Sequence, residues 1–488
     1  MLETSRSIPA IRGSMLDRNN FPLAVSINQY DLYALKKFSE EDFLALKNIL
    51  LPTKSFLEIK EFEKKILIFS NLNFSQYEKI QGLKLSGIEI ESSQKRYYPL
   101  GEQIAPLIGF SGKDGIGLEG LENILNSELS GVPGQEIIYK NASRRPQTIQ
   151  EVIQGTDIKL TIDSRVQFFA FKHLSRFVEA NNAKGGSAIV LDNISGEILA
   201  IASYPSYNPN SPQRQIKRNR ALVDAFEPGS IIKPLVLAKG IDLGLLEIDQ
   251  VVKTSPGFIK LNGRTISDPR NYSDLTMSEI IAKSSQVGAS KLALKIGIDA
   301  ITSGYKGFGL SKPPNIFFPS IAYGVINSRE NITDHEIASI GFGYGMTASS
   351  LQLAQAYSVF ANKGYLKDFK IFKNDTPPYQ QRVIGKNTAD HVLSSLELVV
   401  KEGTGQLAQL SDYAVAGKTG TSHKSSAKGG YDQSKYIASF AGIAPLQSRR
   451  LTIFVTVDEP GLNNYSGGSV AAPLFAAISN DVLNYLDE

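Results

Sequence analysis

Ser230-Ile231-Ile232-Lys233 sets a hydroxyl and an amine three residues apart, directly after the turn residues Glu227-Pro228-Gly229. An apolar run to Ala238 follows, which predicts a helix with Ser230 at its N-terminus. Residues i and i+3 share a helix face, so Lys233 would come beside the hydroxyl. A serine hydroxyl is a poor nucleophile until a base takes its proton. A lysine does this only when burial or a neighbouring charge lowers its pKa. Free N–H groups at the helix start can stabilise an oxyanion. The chemistry suggested is acyl transfer through Ser230. Taken alone, a Ser-x-x-Lys spacing is common in 488 residues.

Two further clusters carry polar groups of suitable type. Lys283-Ser284-Ser285-Gln286 follows the capping box Thr276-Met277-Ser278-Glu279 and precedes a helix from Val287 to Ile296. Read alone, it is a polar loop between helices. Lys418-Thr419-Gly420-Thr421 follows Ala414-Val415-Ala416-Gly417. Such small residues leave a strand with little side-chain bulk, along whose edge an extended peptide can pair. Lys418 supplies a positive field, and the threonine hydroxyls can bind a carboxylate.

Other chemistries are poorly supplied. There is no cysteine, which excludes a thiol nucleophile, a disulfide scaffold and thiolate metal sites. The four histidines, His173, His335, His391 and His423, have no HExxH spacing, so a zinc hydrolase is not expected. Gly115-Ile116-Gly117-Leu118-Glu119-Gly120 matches GxGxxG but lacks a βαβ setting and reads as a structural turn. Gly417-Lys418-Thr419 resembles the end of a phosphate-binding loop, but Asp412 stands where that loop needs glycine. No GxSxG elbow occurs. A net charge of +4 gives no reason to expect a nucleic-acid surface. The cluster Arg214, Lys217, Arg218 and Arg220 reads as a solvated face. No apolar run reaches the ~18 residues of a membrane helix.

The elements that must hold these groups divide near residue 155. Residues 1–155 mix strand-like and helical pieces. Pro22 to Ile27 reads as a strand, and Ser39-Glu40-Glu41-Asp42 opens a helix with Phe43, Leu46 and Leu50 on one face and Pro52 at its end. Residues 142–146 are polar and turn-rich. Residues 156–488 read as one α/β domain of the α+β type. Asp163-Ser164 opens a helix, and Ser187–Leu191 and Glu197–Ala202 flank a hairpin turn at Asp192–Gly196. Tyr436–Gly442 and Leu451–Val457 are strands, and a helix from Ala472 to Leu486 closes the chain. This pattern predicts a central antiparallel sheet flanked by helices.

SxxK, an S-x-amide triplet and KTG, in that order, form the signature of the penicillin-recognising serine acyltransferases. The chain resembles a class B penicillin-binding protein of the division-specific (septal) D,D-transpeptidase type. Arg12-Gly13-Ser14-Met15-Leu16-Asp17-Arg18 is similar to the RGxxxDR box that opens the family's pedestal domain. Tyr98-Pro99 through Phe110, Gly117 to Glu122, Arg218 to Pro234, Asp192 to Asn208 and Tyr436 to Pro445 also resemble family segments. So does Gly341-Phe342-Gly343-Tyr344-Gly345-Met346, read as scaffold. The resemblance implies an elongated N-terminal pedestal (1–155) and a transpeptidase domain (156–488).

It also implies roles. Lys233 would take the proton of Ser230, which attacks a stem peptide ending D-Ala-D-Ala. Ser284, between Lys233 and Lys418, would relay a proton to the leaving D-Ala. Gln286 would hold the lysine and the acyl peptide. Lys418, Thr419, Gly420 and Thr421 would bind the substrate at its terminal carboxylate, and the backbone N–H groups of Ser230 and Thr421 would form the oxyanion hole. β-Lactams would acylate Ser230, with no cofactor or metal. Gln286 stands where the family pattern has Asn, and a reach altered by roughly 1 Å can cost about a hundredfold in rate. The family works at the periplasmic face of the inner membrane, usually beside a membrane glycosyltransferase in a division complex. Its membrane helix precedes the RGxxxDR box, and that anchor is expected to be absent here. The alternatives are a D,D-carboxypeptidase or β-lactamase, a non-catalytic scaffold or β-lactam sensor, and an elongation-type transpeptidase.

Overall fold

The structure is a computed structural model that describes residues 3–35, 40–50, 65–139, 147–211, 218–327, 329, 331–426 and 429–487. The chain forms two compact units. One comprises Met1–Met15, Ala24–Pro99 and Phe110–Ile158; the other Leu16–Leu23, Leu100–Gly109 and Lys159–Glu488.

The larger unit is built on five strands: β1 (Gly185–Asp192), β2 (Glu197–Tyr204), β3 (Ala416–Ser425), β4 (Tyr431–Ala444) and β5 (Leu451–Asp458). Their order is β2-β1-β5-β4-β3, with every neighbouring pair antiparallel. The expected antiparallel sheet is therefore present. The runs Ala188–Leu191, Ile198–Ala202 and Ile453–Val455 are buried throughout rather than alternating, as strands covered on both faces require. Helices Ser164–Ala180 and Ala472–Asp487 supply Leu174, Val178, Phe475 and Ile478 to a core shared with Val190, Phe440 and Val455. Helix Ser350–Ala361 is buried along its whole length. The hairpin between β1 and β2 turns where expected: the Ile194 and Ser195 N–H groups donate to Asp192 Oδ1 at 2.8 and 3.1 Å. Asp163 caps the Ser164 helix by accepting from the Arg165 and Val166 N–H groups.

In the smaller unit, strand Pro22–Ala34 pairs with Ile66–Leu72 on one side and Ile88–Tyr97 on the other. It runs seven residues past the expected end at Ile27 (34 − 27). Pairing satisfies its backbone through Asn28-Gln29, where side-chain polarity alone argues for a loop. Leu32, Leu46, Leu50, Ile68, Leu72 and Ile80 form a small core, with Leu46 on helix Glu40–Ile49. Ser39, Pro52, residues 142–146, Arg214 and Lys217 lie outside the described residues, as does the side chain of Phe43.

The GxGxxG stretch is a local turn, as expected, with the Gly117 N–H on Asn126 Oδ1 at 2.8 Å. Of the RGxxxDR box, Arg12 joins a buried network with Glu122 and Arg96, in which Arg12 Nε and Arg96 Nε donate to the two Glu122 oxygens at 2.7 and 2.6 Å. Arg18 pairs with Glu197 at 2.9 Å. No helix among the described residues is long and apolar enough to cross a membrane.

Candidate active site

Ser230 lies on a 3-10 turn, Gly229–Ile232, and the α-helix begins at Lys233 rather than at the serine. Pro234 explains the shift. It has no N–H to donate and is favoured in the first turn of a helix, so the α-helical ladder starts beside it. A 3-10 turn has three residues per turn, so Ser230 and Lys233 still fall on one edge. Ser230 Oγ and Lys233 Nζ are not hydrogen-bonded to each other. Lys233 Nζ instead donates to Ser284 O at 2.6 Å and Ser284 Oγ at 3.2 Å.

Ser284 ends helix Met277–Lys283 in the left-handed conformation, with φ of 56°. A non-glycine residue held there is uncommon and must be fixed by its surroundings. What fixes it is the next segment, in which Ser285 caps helix Gln286–Ile296 and is pinned by Asp268. Ser285 Oγ donates to Asp268 Oδ2 at 2.6 Å, and the Gln286 and Val287 N–H groups donate to Asp268 Oδ1 at 2.5 and 3.2 Å. A carboxylate at a helix N-terminus is favourable for both hydrogen bonding and dipole.

Lys233 and Lys418 are both wholly buried. Burial pushes the Lys233 pKa down to about 7, and the Asp268 charge offsets part of that fall. Lys418 is held well below its usual value, by burial first and then by the charge of Lys233. Its Nζ donates to Thr419 O at 3.1 Å, and Thr419 Oγ1 meets Thr404 Oγ1 at 2.6 Å. The two lysines thus sit within each other's field, with Ser284 bonded to Lys233 and not to Lys418.

β3 is an edge strand, and the Ser230 turn packs against it at Gly420. Gly420 permits that approach: a Cβ there would lie 2.6 Å from Ile231 Cγ1 and 3.0 Å from Pro228 O. Gly343, at φ of 94°, packs on the other side, where a Cβ would meet Gly229 O at 2.1 Å. The Gly341–Met346 stretch is therefore scaffold for the serine turn. It also lines the site, through Phe342, Tyr344 and Gly345.

The groove beside Thr421 has a volume of about 880 Å³. The Gln286 side chain is exposed at its edge and has no hydrogen-bond partner among the described residues. It makes no hydrogen bond to Lys233, contrary to the role the resemblance implies; that amine donates to Ser284 instead. Thr421 Oγ1 accepts from the Gly467 N–H at 2.9 Å. One wall is aromatic. Tyr344 and Tyr431 pack edge to face at 5.2 Å, and His423, Tyr436 and Tyr465 pack in series at 4.5 and 4.3 Å. Tyr431 opens strand β4 and joins this wall. Glu227 Oε1 accepts from the Gly345 N–H at 2.7 Å and from the Tyr431 hydroxyl at 3.2 Å, and burial raises its pKa.

The fold therefore gathers Ser230, Lys233, Ser284, Lys418 and Thr419–Thr421 in one place, with Gln286 at the rim. Asp268, Thr404 and Glu227 are the polar residues that sequence reasoning missed. Asp268-Pro269 is a turn dipeptide, and no spacing rule ties it to Ser284. Of the basic cluster, Arg218 pairs with Asp224, and Arg220 pairs with Asp458 at 3.1 Å.

The family described as penicillin binding protein transpeptidase domain matches residues 186–480, and the penicillin-binding protein dimerisation domain matches residues 7–160. Peptidoglycan D,D-transpeptidase FtsI of Escherichia coli K12 is 35% identical, over 99% of this chain and 85% of its own length. The probable peptidoglycan D,D-transpeptidase PenA of Neisseria gonorrhoeae is 34% identical, over 99% and 86%. Among solved structures, penicillin binding protein 3 of Mycobacterium tuberculosis complexed with aztreonam superposes with a TM-score of 0.78 at 26% identity, covering 99% of this chain and 97% of that one. The transpeptidase domain of Burkholderia pseudomallei penicillin-binding protein 3 has a TM-score of 0.62 at 39% identity, covering 67% and 96%.

Proposed function

The chain belongs to the penicillin-binding protein transpeptidase family, and on that premise we propose that it cross-links peptidoglycan stem peptides as a serine D,D-transpeptidase during septum formation. The observation that carries the reading is Lys233. A wholly buried amine with a pKa of about 7, on the same edge of the chain as Ser230, is a base poised near neutrality.

Neutral Lys233 takes the proton of Ser230 Oγ as that oxygen attacks the carbonyl of the penultimate D-Ala. The backbone N–H groups of Ser230 and Thr421 receive the developing oxyanion. The peptide C–N bond then breaks, and D-Ala leaves as an amine with a proton relayed through Ser284. An amine of a neighbouring stem attacks the Ser230 ester, forming the cross-link and returning the proton. Lys418, Thr419, Gly420 and Thr421 bind the terminal carboxylate, and Gln286 holds the acyl peptide. β-Lactams stop at the ester. In this reading residues 1–155 are a pedestal and 156–488 the transpeptidase domain. The protein works at the periplasmic face of the inner membrane, in a division complex with a membrane glycosyltransferase.

The test is intact-mass spectrometry after exposure to a penicillin, with Ser230→Ala beside the wild type. One adduct in the wild type and none in the variant is the expected result. No adduct at saturating drug would overturn the reading and favour a non-catalytic scaffold. An adduct combined with release of D-Ala and no cross-linked product would make the enzyme a carboxypeptidase.

A further inference from the structure

The groove beside Thr421 carries an unbalanced charge. Among the described residues its charged lining groups are Arg264 and Glu336, with His335 and His423 as titratable neighbours. Glu336 is already taken. The Arg329 guanidinium pairs with it, and the Thr333 N–H and hydroxyl donate to it at 2.9 and 2.7 Å. Those contacts hold its carboxyl down to about 2. Glu227, the nearby carboxylate behind the aromatic wall, is engaged by Gly345 and Tyr431. Arg264 opens strand Arg264–Ser267, which pairs with Phe258–Leu261 in a hairpin at the groove's side. Its guanidinium has no ion pair or hydrogen bond among the described residues, and its charge is felt at His335. A free, planar, five-donor cation thus faces an open groove whose acid is already neutralised.

We infer that Arg264 is a specificity-determining residue that binds a carboxylate on the side chain of the donor peptide, on the residue preceding D-Ala-D-Ala. The inference rests on the acyl-transfer reading above. In that reading the terminal carboxylate goes to Lys418, Thr419 and Thr421, so Arg264 is left for a second anion further along the peptide. A diamino acid that keeps a free carboxylate beside its side-chain amine presents that anion. A plain lysine presents only an ammonium, which Arg264 repels. Fork-shaped donation to a carboxylate is the interaction guanidinium geometry favours.

Penicillins test this without the acceptor, because their side chain occupies the place of the donor peptide. Benzylpenicillin and its α-carboxy analogue differ by one side-chain carboxylate. Second-order acylation constants for both would be measured on the wild type, Arg264→Gln and Arg264→Lys. The ratio of the two constants does not depend on the fraction of active protein. The ratio of carboxylated to plain drug should be roughly two- to fivefold higher in the wild type than in Arg264→Gln, the range of an exposed ion pair. Arg264→Lys should fall between, and added salt should shrink the difference. The same ratio in wild type and Arg264→Gln overturns this inference and leaves acyl transfer standing. Absence of any adduct with either drug overturns both.

Discussion

Each unit buries a cluster of charges, and the two clusters are balanced in opposite ways. In the smaller unit, Glu122 is wholly buried, and both its oxygens are taken by arginine, from Arg12 and Arg96. Arg12 spends its remaining donors on Glu122 O, Asn126 Oδ1 and Ser130 Oγ at 2.8 to 2.9 Å. In the larger unit two buried lysines share one field with a single carboxylate, Asp268, which is itself occupied by Ser285 and two backbone N–H groups. A buried charge that is paired stays charged and locks a fold. A buried amine left short of anions loses its proton and becomes a base. The difference separates a structural cluster from a chemical one, and each can be attacked where it differs.

The largest effect is expected at Lys233. Lys233→Met removes the base while filling similar volume, so acylation of Ser230 by penicillin should fall by about 10²–10⁴. Stability should move the other way. A lysine whose pKa is lower in the folded than in the unfolded chain weighs against folding when protons are plentiful. That weight lifts as pH rises from about 7 toward the ordinary 10.5. The variant should therefore melt higher than wild type at or below pH 7, with the gain vanishing near pH 10.5. In the wild type, acylation should rise with pH through about 7 and then level off, because the neutral amine is the active form. A variant within tenfold of wild-type acylation would remove Lys233 from the chemistry.

Glu122→Gln is the mirror experiment. It leaves two buried guanidinium groups facing a neutral amide. Breaking a buried pair from one side costs about 3–5 kcal/mol, so the melting temperature of the smaller unit should drop sharply. Acylation of Ser230 should persist below that temperature. An unshifted melting curve would mean that the network is not what holds the unit.

The legibility of the two clusters in the sequence differs as well. Ser230, Lys233 and the KTGT run could be read because their chemistry is local: a three-residue offset and four consecutive residues. The antiparallel sheet was readable from strand-length apolar runs and from the Asp192–Gly196 turn. The Arg12 box stood out as a motif, but its partners Arg96 and Glu122 meet it only through the fold. Asp268 was invisible for the same reason, since it lies 16 positions before Ser284 (284 − 268) and nothing periodic links them. The onset of the α-helix at Lys233 rather than Ser230 was legible in Pro234, had its missing N–H been weighed. The carbonyl that claims Lys233 belongs to a left-handed serine, a conformation no propensity would assign.

Asp268→Asn asks whether the lone carboxylate sets the base or only the loop. Asn keeps an oxygen acceptor for the helix N–H groups and turns an NH2 donor toward the Ser285 hydroxyl, but loses the charge. Acylation should fall about tenfold, short of the roughly hundredfold of a full 1 Å misplacement. Because Asp268 raises the Lys233 pKa against burial, its loss should shift the rising limb of the acylation profile to lower pH. A slower enzyme with an unmoved limb would make Asp268 a structural tether alone, and the larger unit's cluster would then resemble the smaller one.

The smallest effect is expected at Gln286, where the family pattern has Asn. Had its amide held Lys233, the extra methylene would displace the base, and Gln286→Asn would repair a damaged site. The geometry argues otherwise. Lys233 is held by Ser284, and the Gln286 side chain stands exposed and unpartnered at the groove. A flexible exposed amide can meet an acyl peptide at either length. Gln286→Asn should therefore change acylation by no more than about threefold, as surface substitutions usually do. The rising limb near pH 7 should stay in place, because nothing around Lys233 has changed. A gain of a hundredfold, or a shifted limb, would tie the amide to the base after all. The wild-type chain would then be a deliberately weakened enzyme, and the β-lactam-sensing reading would displace the transpeptidase.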